Sequence, residues 1–472
     1  MIFCILLCIV SVAIITPVQS FQEHASQCSS LMLSQSSVII IPDDYPTIQE
    51  GIDNADSGDT IFVRSGVYKE SIVISTENLS LVGENKLDTV IDINNSSSDA
   101  VGIKAEGVTL QGFTITHARS NDALIWNQSG IAIFTSNVTV RDTIISDNRL
   151  GILSYTTAYN LTICDNMFFY DGFFPGCYLQ NIDGHYQGTE NIPLACLTLN
   201  VSNNTINGKP LYYLQNIHDS IIEDDIGQVV LINCTNITVR NVAFLKNDFS
   251  VLLYYCNNCI VENITILDSD GELILFFSEN TTIQYNRINE SMVGICFDLG
   301  AKNNIARYNE LYDCREGISI ITLCSGNKVY GNILYQNDYG VRISSYTKNA
   351  PAHDNEIYEN EVLNNKYGIV LSTSFRDPLC YTYNNTIFNN TIKKNFIGIE
   401  LYSTEGNTIT HNIFQKNVLS AFFVNCSQNN WNNNYWNRPR ILPKPIIGVK
   451  LVGSLPIPTV NFDWHPARFI DH

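Results

Sequence analysis

Short apolar stretches recur along most of the chain, and each is followed by a polar segment that begins and ends with asparagine. Successive copies of this segment (Asn, four residues, Asn) start 22 or 23 residues apart, widening to 28 and 30 between residues 327 and 385. Thr281 takes the first place of one copy. The other copies begin at Asn236, Asn258, Asn304, Asn327, Asn355, Asn385 and Asn407. A fixed internal period of this length is typical of a repeat architecture.

A period of about 22 residues accommodates three short strands and three turns, which make one coil of a parallel β-helix. The apolar stretches often open with glycine, as in Gly340-Val-Arg-Ile and Gly368-Ile-Val-Leu. Equivalent apolar residues would stack inside the coils, and asparagine at the turns tolerates the left-handed backbone conformation. We therefore predict an all-β parallel β-helix over residues 42–436, in which the repeated asparagines form hydrogen-bonded ladders.

The ends of such an array need covering. Residues 46–56 predict an amphipathic capping helix, with Pro46 at its first position and Ile48, Ile52 and Ala55 on one face. At the other end, Trp431 and Trp436 are expected to close the last coil. Residues 437–472 read as a Pro-rich tail, with Trp464 as an anchor.

Cysteine follows the same period. Cys234 and Cys256 are 22 residues apart and hold equivalent places in adjacent coils. We expect them to stack as buried reduced thiols, with a disulfide between coils as the alternative.

Composition narrows the class of function. The formal net charge is -19 with 15% charged residues, and no basic patch of useful size is present, which excludes a nucleic-acid partner. Residues 1–20 resemble a signal peptide and 21–41 a linker, although a retained membrane anchor is the alternative for the first segment. We therefore expect a secreted or cell-surface protein with no further membrane span. Exposed glycosylation sequons are expected at Asn137, Asn236, Asn263 and Asn389.

Only residues 165–227 depart from the repeat, and they hold the candidate chemistry. Asp224 and Asp225 form an adjacent acidic pair, which is a candidate for a solvated turn, a calcium site or catalysis. The aromatic residues of this region predict either packing of an inserted loop or a carbohydrate-stacking surface. The candidate carbohydrate-binding residues are Tyr186, Lys209, Tyr212 and Tyr213.

Residues 46–70 resemble the entry segment of pectin-lyase-like right-handed β-helix proteins. Residues 207–213, residues 225–231 and Asn434-Tyr-Trp-Asn437 resemble NosD-like proteins, a right-handed β-helix family that is common among exported archaeal proteins and named for a copper-processing factor. The resemblance implies a right-handed parallel β-helix over nearly the whole mature chain, and it implies copper. The residues argue against copper, because the 4 Met and 8 His are scattered and form no cluster.

Three functions follow from these observations. The first is a non-catalytic exported β-helix that binds carbohydrate or serves a structural role at the cell surface, without a cofactor. The second is a carbohydrate-active enzyme such as a polysaccharide lyase, hydrolase or epimerase, and the third is a copper-processing accessory protein. The sequence leaves the oligomeric state open.

Overall fold

The computed structural model describes residues 36–119, 128–177, 192–223, 225–268, 272–345, 350–373, 382–453 and 455–469. In these ranges the regular secondary structure is almost all β-strand, and consecutive coils pair in parallel, which confirms the predicted right-handed parallel β-helix. The coils fall into two blocks that meet near residue 208. Helices are confined to Ile48–Asp53 and Leu194–Leu197 within the described ranges, and neither is long enough to cross a bilayer.

The first block has three faces, each built by one strand from every coil. The first face consists of Val38–Ile41, Thr60–Val63, Ser80–Gly83, Thr109–Gln111, Thr139–Arg141, Thr162–Cys164 and Asn200–Ser202. The second consists of Gly66–Tyr68, Thr89–Asp92, Thr114–Thr116, Ile144–Ser146, Met167–Phe169 and Thr205–Ile206. The third consists of Ile72–Ile74, Val101–Ile103, Ser129–Ile133, Leu150–Tyr155 and Phe173–Cys177.

The second block repeats this plan with longer strands on one face. This long-strand face consists of Lys209–Gln215, Gln228–Ile232, Phe249–Tyr254, Glu272–Phe276, Val293–Asp298, Glu316–Ile320, Tyr339–Ser345, Tyr367–Thr373, Ile397–Tyr402, Leu419–Val424 and Lys444–Val452. The next consists of His218–Ile222, Thr235–Arg240, Ile260–Glu262, Thr282–Gln284, Ile305–Arg307, Lys328–Tyr330, Glu356–Tyr358, Thr382–Tyr383, Thr386–Phe388, Thr404–Glu405, Thr408–Thr410, Asn430–Asn432 and Leu455–Asp463. The last consists of Ala243–Leu245, Thr265–Leu267, Arg287–Asn289, Glu310–Tyr312, Ile333–Tyr335, Glu361–Leu363, Thr391–Lys393, Ile413–Gln415 and Tyr435–Trp436.

The N-terminal helix, Ile48–Asp53, begins two residues later than its proline pattern predicts and ends three residues before residue 56. Thr47 is the N-cap, and its hydroxyl accepts a hydrogen bond from the backbone N–H of Glu50. Ile48 and Ile52 are fully buried against the first strands, so the helix covers the apolar interior of the opening coil.

Buried asparagine ladders run through the second block. In each, the amide oxygen accepts two N–H groups from the preceding coil, as Asn327 Oδ1 does from the backbone N (2.9 Å) and Nδ2 (3.1 Å) of Asn304. Its own Nδ2 donates to the Ala301 carbonyl and to Asn355 Oδ1. Every polar atom of such an amide therefore has a partner, which the burial of these groups requires. The buried members are Asn286, Asn304, Asn309, Asn327, Asn332, Asn337, Asn355, Asn360, Asn365, Asn385, Asn390, Asn395, Asn407, Asn412, Asn429 and Asn434.

Asn236 and Asn258 do not belong to these buried rows, which corrects the register expected from the sequence. Both are exposed and have a left-handed backbone, with φ of 57° and 56°. Their side-chain amides bond each other on the outer surface of the coils. The buried row that contains Asn304 continues instead through Thr281 and Cys259. The two rows lie one residue apart, so the Asn-rich spacing alone does not distinguish them.

Glycine permits the close approach of successive coils on the long-strand face. A Cβ atom at Gly340 would lie 2.5 Å from the Gly368 carbonyl oxygen, and one at Gly368 would lie 2.4 Å from that of Gly398. The glycine that opens each apolar stretch is therefore a packing requirement between coils.

Residues 437–472, expected to be a Pro-rich tail, contain an ordered antiparallel hairpin. Its strands Lys444–Val452 and Leu455–Asp463 pair along their full length, and the first strand continues the long-strand face through Phe422, Phe423 and Val424. Proline is accommodated because the last strands of an array have free edges. Trp464 was expected to anchor this segment, but its side chain is 61% exposed. The anchor is instead Asp463, whose buried carboxylate accepts a hydrogen bond from the indole of Trp436.

The irregular region is partly regular, because the strands in residues 165–177 and 192–206 continue the three faces of the first block. After the gap in the described residues, the chain covers the outer side of the long-strand face. Tyrosine hydroxyls hold the chain on both sides of this gap: Tyr254 donates to Pro175 O (2.8 Å) before it, and Tyr213 donates to Leu197 O (2.6 Å) and Tyr255 to Ile192 O (2.5 Å) after it. Phe173 and Tyr213 of this region are buried and therefore serve packing, whereas Tyr170 is exposed.

Candidate functional site

The predicted acidic site is not assembled in the described residues. Asp225 is exposed, and its carboxylate pairs with Lys209 Nζ at 2.6 Å, which is a surface ion pair of small energetic weight. The nearby Glu223 carboxylate forms an ion pair with Arg240, with Oε2 and Nε 2.6 Å apart. Asp224 lies outside the described residues. Asp225 and Lys209 therefore neutralise each other in an open turn.

The predicted carbohydrate-stacking residues separate in the structure. Tyr213 is only 8% exposed, its hydroxyl is used within the fold, and burial raises its pKa well above the usual range, so it belongs to the core and offers no ring face to a ligand. Tyr212 is half-buried and packs against the second-block core. Tyr186 lies outside the described residues.

The four predicted glycosylation positions, Asn137, Asn236, Asn263 and Asn389, are all exposed at turns. Cys234 and Cys256 are equivalent in adjacent coils, because the neighbouring pairs Ile232–Tyr254 and Thr235–Asn257 are in register. Both are buried free thiols in the structure.

A cleft lined by polar, basic and aromatic side chains lies at the C-terminal end of the second block. One side of this C-terminal cleft is formed by three equivalent turn residues of consecutive coils, Asn389, His411 and Asn433, all with left-handed φ. They align because Phe388, Thr410 and Asn432 before them are paired in register. Left-handed turns project these side chains in a row along the helix axis. His411 is fixed by Thr410 Oγ1, 2.9 Å from its Nδ1.

The opposite side of the cleft is the segment that follows the hairpin. The backbone N–H of Asn433 donates to the His465 carbonyl (2.9 Å), and that of Ala467 donates to the Asn434 carbonyl (3.0 Å). His465 Nδ1 lies 3.1 Å from Asn432 Oδ1. The cleft holds about 460 Å³, and its lining residues are Asn389, His411, Ile413, Asn433, Tyr435, Arg440, Ile441, Trp464, His465, Pro466, Ala467, Arg468 and Phe469.

The electrostatic character of the cleft is basic in a chain that is strongly acidic overall. Arg440 and Arg468 are permanent cations, and no acidic side chain is among the described residues that line the cleft. The Nε of Arg440 is buried without a hydrogen-bond partner in the described structure. Burial, together with the nearby Arg440 charge, lowers the pKa of Lys444 behind it. Two guanidinium groups and an exposed indole in one cleft suit a ligand that is both anionic and flat-faced.

The sequence gives one signal for this cleft. Residues 437–472 carry five Lys or Arg against two Asp, although the whole chain has a net charge of -19. The contribution of His411 and Asn433 has no such signal, because both occupy the turn position that the repeat fills with asparagine and other polar residues.

The described residues do not fit a metal centre. No three His, Cys, Asp or Glu side chains within the described ranges converge so as to hold an ion. The cleft brings together His411 and His465, but copper and calcium sites need a larger donor set than this pair. No step is therefore assigned to a metal.

Solved structures with a similar backbone fold include the following three, which are proteins of different kinds. The A-module of mannuronan C-5 epimerase AlgE6 from Azotobacter vinelandii is 15% identical, with 79% of this chain and 90% of that chain covered and a TM-score of 0.30. A hyperthermoactive exopolygalacturonase from Thermotoga maritima is 9% identical, with coverage of 88% and 89% and a TM-score of 0.37. The surface adhesin PfbA of Streptococcus pneumoniae is 12% identical, with coverage of 91% and 97% and a TM-score of 0.32. Similarity this distant carries no argument about function.

A search of curated proteins finds no match. The family model described as "Periplasmic copper-binding protein (NosD)" matches residues 176–350 and 350–451, more than half of the chain. The match includes Arg440 and ends before Trp464 and Arg468, so part of the cleft lies beyond the matched segment. With the Asn ladders and the C-terminal coils inside the matched segments, the chain belongs to the NosD family.

Proposed function

We propose that this protein acts outside the cytoplasmic membrane as a carbohydrate-binding β-helix, and that its C-terminal cleft binds an acidic glycan. The observation that carries the proposal is the meeting of Arg440, Arg468 and exposed Trp464 in a cleft whose described lining has no acidic residue. The β-helix then serves as a rigid support that holds the cleft at one end.

The chemistry of the cleft suits a sugar that carries a carboxylate. Guanidinium groups bind carboxylates through paired, charge-assisted hydrogen bonds. The indole of Trp464 offers an apolar surface for a sugar ring, and the amide of Asn433 can bond its hydroxyl groups. Because the rest of the chain is acidic, an anionic polymer would be attracted to this end and repelled elsewhere.

The extracytoplasmic location rests on two supports. Residues 1–20 have the pattern of a signal peptide, and the family description places its members in the periplasm. Mass spectrometry of the protein recovered from its native host tests this part, since an N-terminus that still begins at Met1 would contradict export with cleavage.

Calorimetric titration with oligogalacturonate, a uniformly acidic glycan, tests the site. We expect binding that weakens with added salt, and little binding of neutral dextran oligomers. The double variant Arg440→Gln, Arg468→Gln should bind oligogalacturonate roughly tenfold or more weakly, because two charge-assisted contacts are lost. Arg438→Gln is the matched control, since Arg438 is exposed and does not line the cleft.

Two results would contradict the proposal. One is equal affinity for oligogalacturonate and dextran, which would leave the basic character of the cleft without a role. The other is an equal loss of affinity in Arg438→Gln and in the double variant, which would indicate non-specific attraction to the basic end.

A further inference from the structure

The C-terminal hairpin has an unusually apolar surface. In an antiparallel pair, residues opposite each other and every second residue along a strand share one face. By this rule, one face contains only apolar residues, four from each strand: Pro445, Ile447, Val449 and Leu451 lie opposite Phe462, Val460, Pro458 and Pro456. Ile447 is 59% exposed and Val460 50%. A contiguous surface of this kind marks an interaction site.

The distal half of the hairpin extends beyond the coils that support its base. The first strand pairs with the preceding coil at Ile447, Gly448 and Val449, and the second pairs with the array at Asp463. From Lys450 to Pro458, the strand pairing recorded among the described residues is within the hairpin itself. The tip is apolar as well, with Val452 at 52%, Leu455 at 70% and Ile457 at 48% exposure.

Charged and aromatic side chains flank this apolar element, at its base and along its first strand. Lys444 and Lys450 belong to the first strand, and Arg438 precedes it. Trp464 follows the second strand, is exposed, and packs against Phe462 with ring centroids 4.9 Å apart. An apolar tip, aromatic residues at its base and basic residues around it form the arrangement that proteins use at a membrane–water interface.

We propose that this hairpin docks the protein on the surface of an anionic lipid bilayer, with Leu451, Val452, Leu455 and Ile457 entering the lipid and the basic residues at the headgroups. Charge complementarity favours this occupant over a second copy of the chain. Residues 437–472 carry five Lys or Arg against two Asp, so two copies joined through this hairpin would bring two positively charged segments together, whereas anionic headgroups attract such a segment. The contact is peripheral, since the apolar strand segments are too short to span a bilayer.

Vesicle co-sedimentation with the full-length protein tests the docking. The vesicles contain equal parts of phosphatidylglycerol and phosphatidylcholine, and vesicles of phosphatidylcholine alone serve as the comparison. We expect sedimentation with the anionic vesicles that falls as salt is raised. The triple variant Val452→Ser, Leu455→Ser, Ile457→Ser should lower the partition coefficient roughly tenfold or more, because exposed apolar chains no longer enter the lipid.

A matched triple variant replaces one exposed Val, Leu and Ile in coils far from the hairpin: Val67→Ser, Leu87→Ser and Ile221→Ser. It should sediment like the wild type. Absence of wild-type sedimentation with anionic vesicles, or equal loss in both triple variants, would overturn the proposal. A concentration-dependent dimer in analytical ultracentrifugation that the hairpin variant makes monomeric would also overturn it, and would assign the face to a second copy.

The docking does not depend on glycan binding in the cleft. The hairpin variant leaves Arg440, Arg468 and His411 in place, so its affinity for oligogalacturonate should equal that of the wild type. Loss of vesicle binding with retained glycan binding would support both proposals, and each proposal can fail without the other.

Discussion

Asp463 accepts a hydrogen bond from the indole of Trp436, with Nε1 and Oδ2 2.9 Å apart. The same carboxylate oxygen accepts the backbone N–H of Asn434 at 3.0 Å and its Nδ2 at 3.1 Å. Asn434 is the last asparagine of a buried ladder, and Asp463 is fully buried. One carboxylate therefore closes both the ladder and the last coil.

Replacing Asp463 with alanine should destabilise the C-terminal coils. Three buried donors would lose their acceptor, and we expect the free energy of unfolding to fall by about 2–4 kcal/mol. Thermal denaturation, together with amide exchange at residues 430–436, measures this. Asp463→Asn keeps one acceptor oxygen in place and should lose less. An unchanged melting temperature in Asp463→Ala would mean that another group closes the ladder.

The buried and exposed asparagine rows should respond differently to substitution. Asn360 makes hydrogen bonds to Asn332, Asn390 and the Val329 carbonyl, so Asn360→Ala should cost about 3 kcal/mol of unfolding free energy. Asn258→Gly removes only an exposed amide at a left-handed position that glycine tolerates, so its cost should stay near 0.5 kcal/mol or less. Equal losses in chemical denaturation would contradict the assignment of the two rows.

Stability should decline between mildly acidic and neutral pH because of Asp298. Burial raises the pKa of its carboxyl group to about 7. Between the usual carboxyl pKa and this raised pKa, Asp298 is protonated in the folded protein and ionised in the unfolded chain. The free energy of unfolding therefore falls as pH rises through this window, and above the raised pKa Asp298 causes no further change. Across this window, the free energy of unfolding of Asp298→Asn should fall by on the order of 2 kcal/mol less than that of the wild type.

Urea denaturation at a series of pH values provides the measurement. Burial also raises the pKa of Asp171 to about 7. In the Asp298→Asn variant, Asp171 should therefore still make stability fall as pH rises. Asp43→Asn is the control, since the hydrogen bond from Arg64 lowers the pKa of this exposed carboxyl group and its effect on stability therefore falls below the usual carboxyl range. A slope equal to that of the wild type in Asp298→Asn would refute the assignment.

A glycan on Asn389 should compete with a ligand for the C-terminal cleft. Asn389 lines the cleft and starts a sequon that Thr391 completes. In a host that glycosylates sequons, Thr391→Val should therefore strengthen oligogalacturonate binding, while Asn389 itself stays in place. Protein from a host without N-glycosylation is the control, and there the variant should bind like the wild type.

The fold was accessible from the sequence because each coil repeats the same physical requirement. The spacing of Asn304, Asn327 and Asn355 predicts stacked coils, and glycines such as Gly340 mark the start of each long strand. The exact row of each asparagine was not accessible. Asn258 and Cys259 are adjacent, and only strand pairing shows that the second of them faces inward with Asn304.

The candidate site was harder to predict. Proline in residues 437–472 suggested an irregular tail, although prolines at 445, 456 and 458 fit a terminal hairpin with free edges. The aromatic and acidic residues near 165–227 attracted attention by composition, but Tyr213 is part of the core and Asp225 pairs with Lys209. The cleft joins residues 389, 411, 433 and 464–469, and no short sequence motif records that juxtaposition.

The buried ladders also have a direction. Along each of them the amide N–H groups of one coil point toward the oxygen of the next, so the amide dipoles add head to tail, much as peptide dipoles do in an α-helix. In the ladder that ends at Asn434, the N–H groups of this last residue have no following asparagine to bond. The C-terminal end of that ladder is therefore electropositive. Asp463 supplies the negative charge that such an end requires. The stack can thus terminate at an acceptor or grow by another asparagine, and the same polarity favours an anion near this end of the molecule.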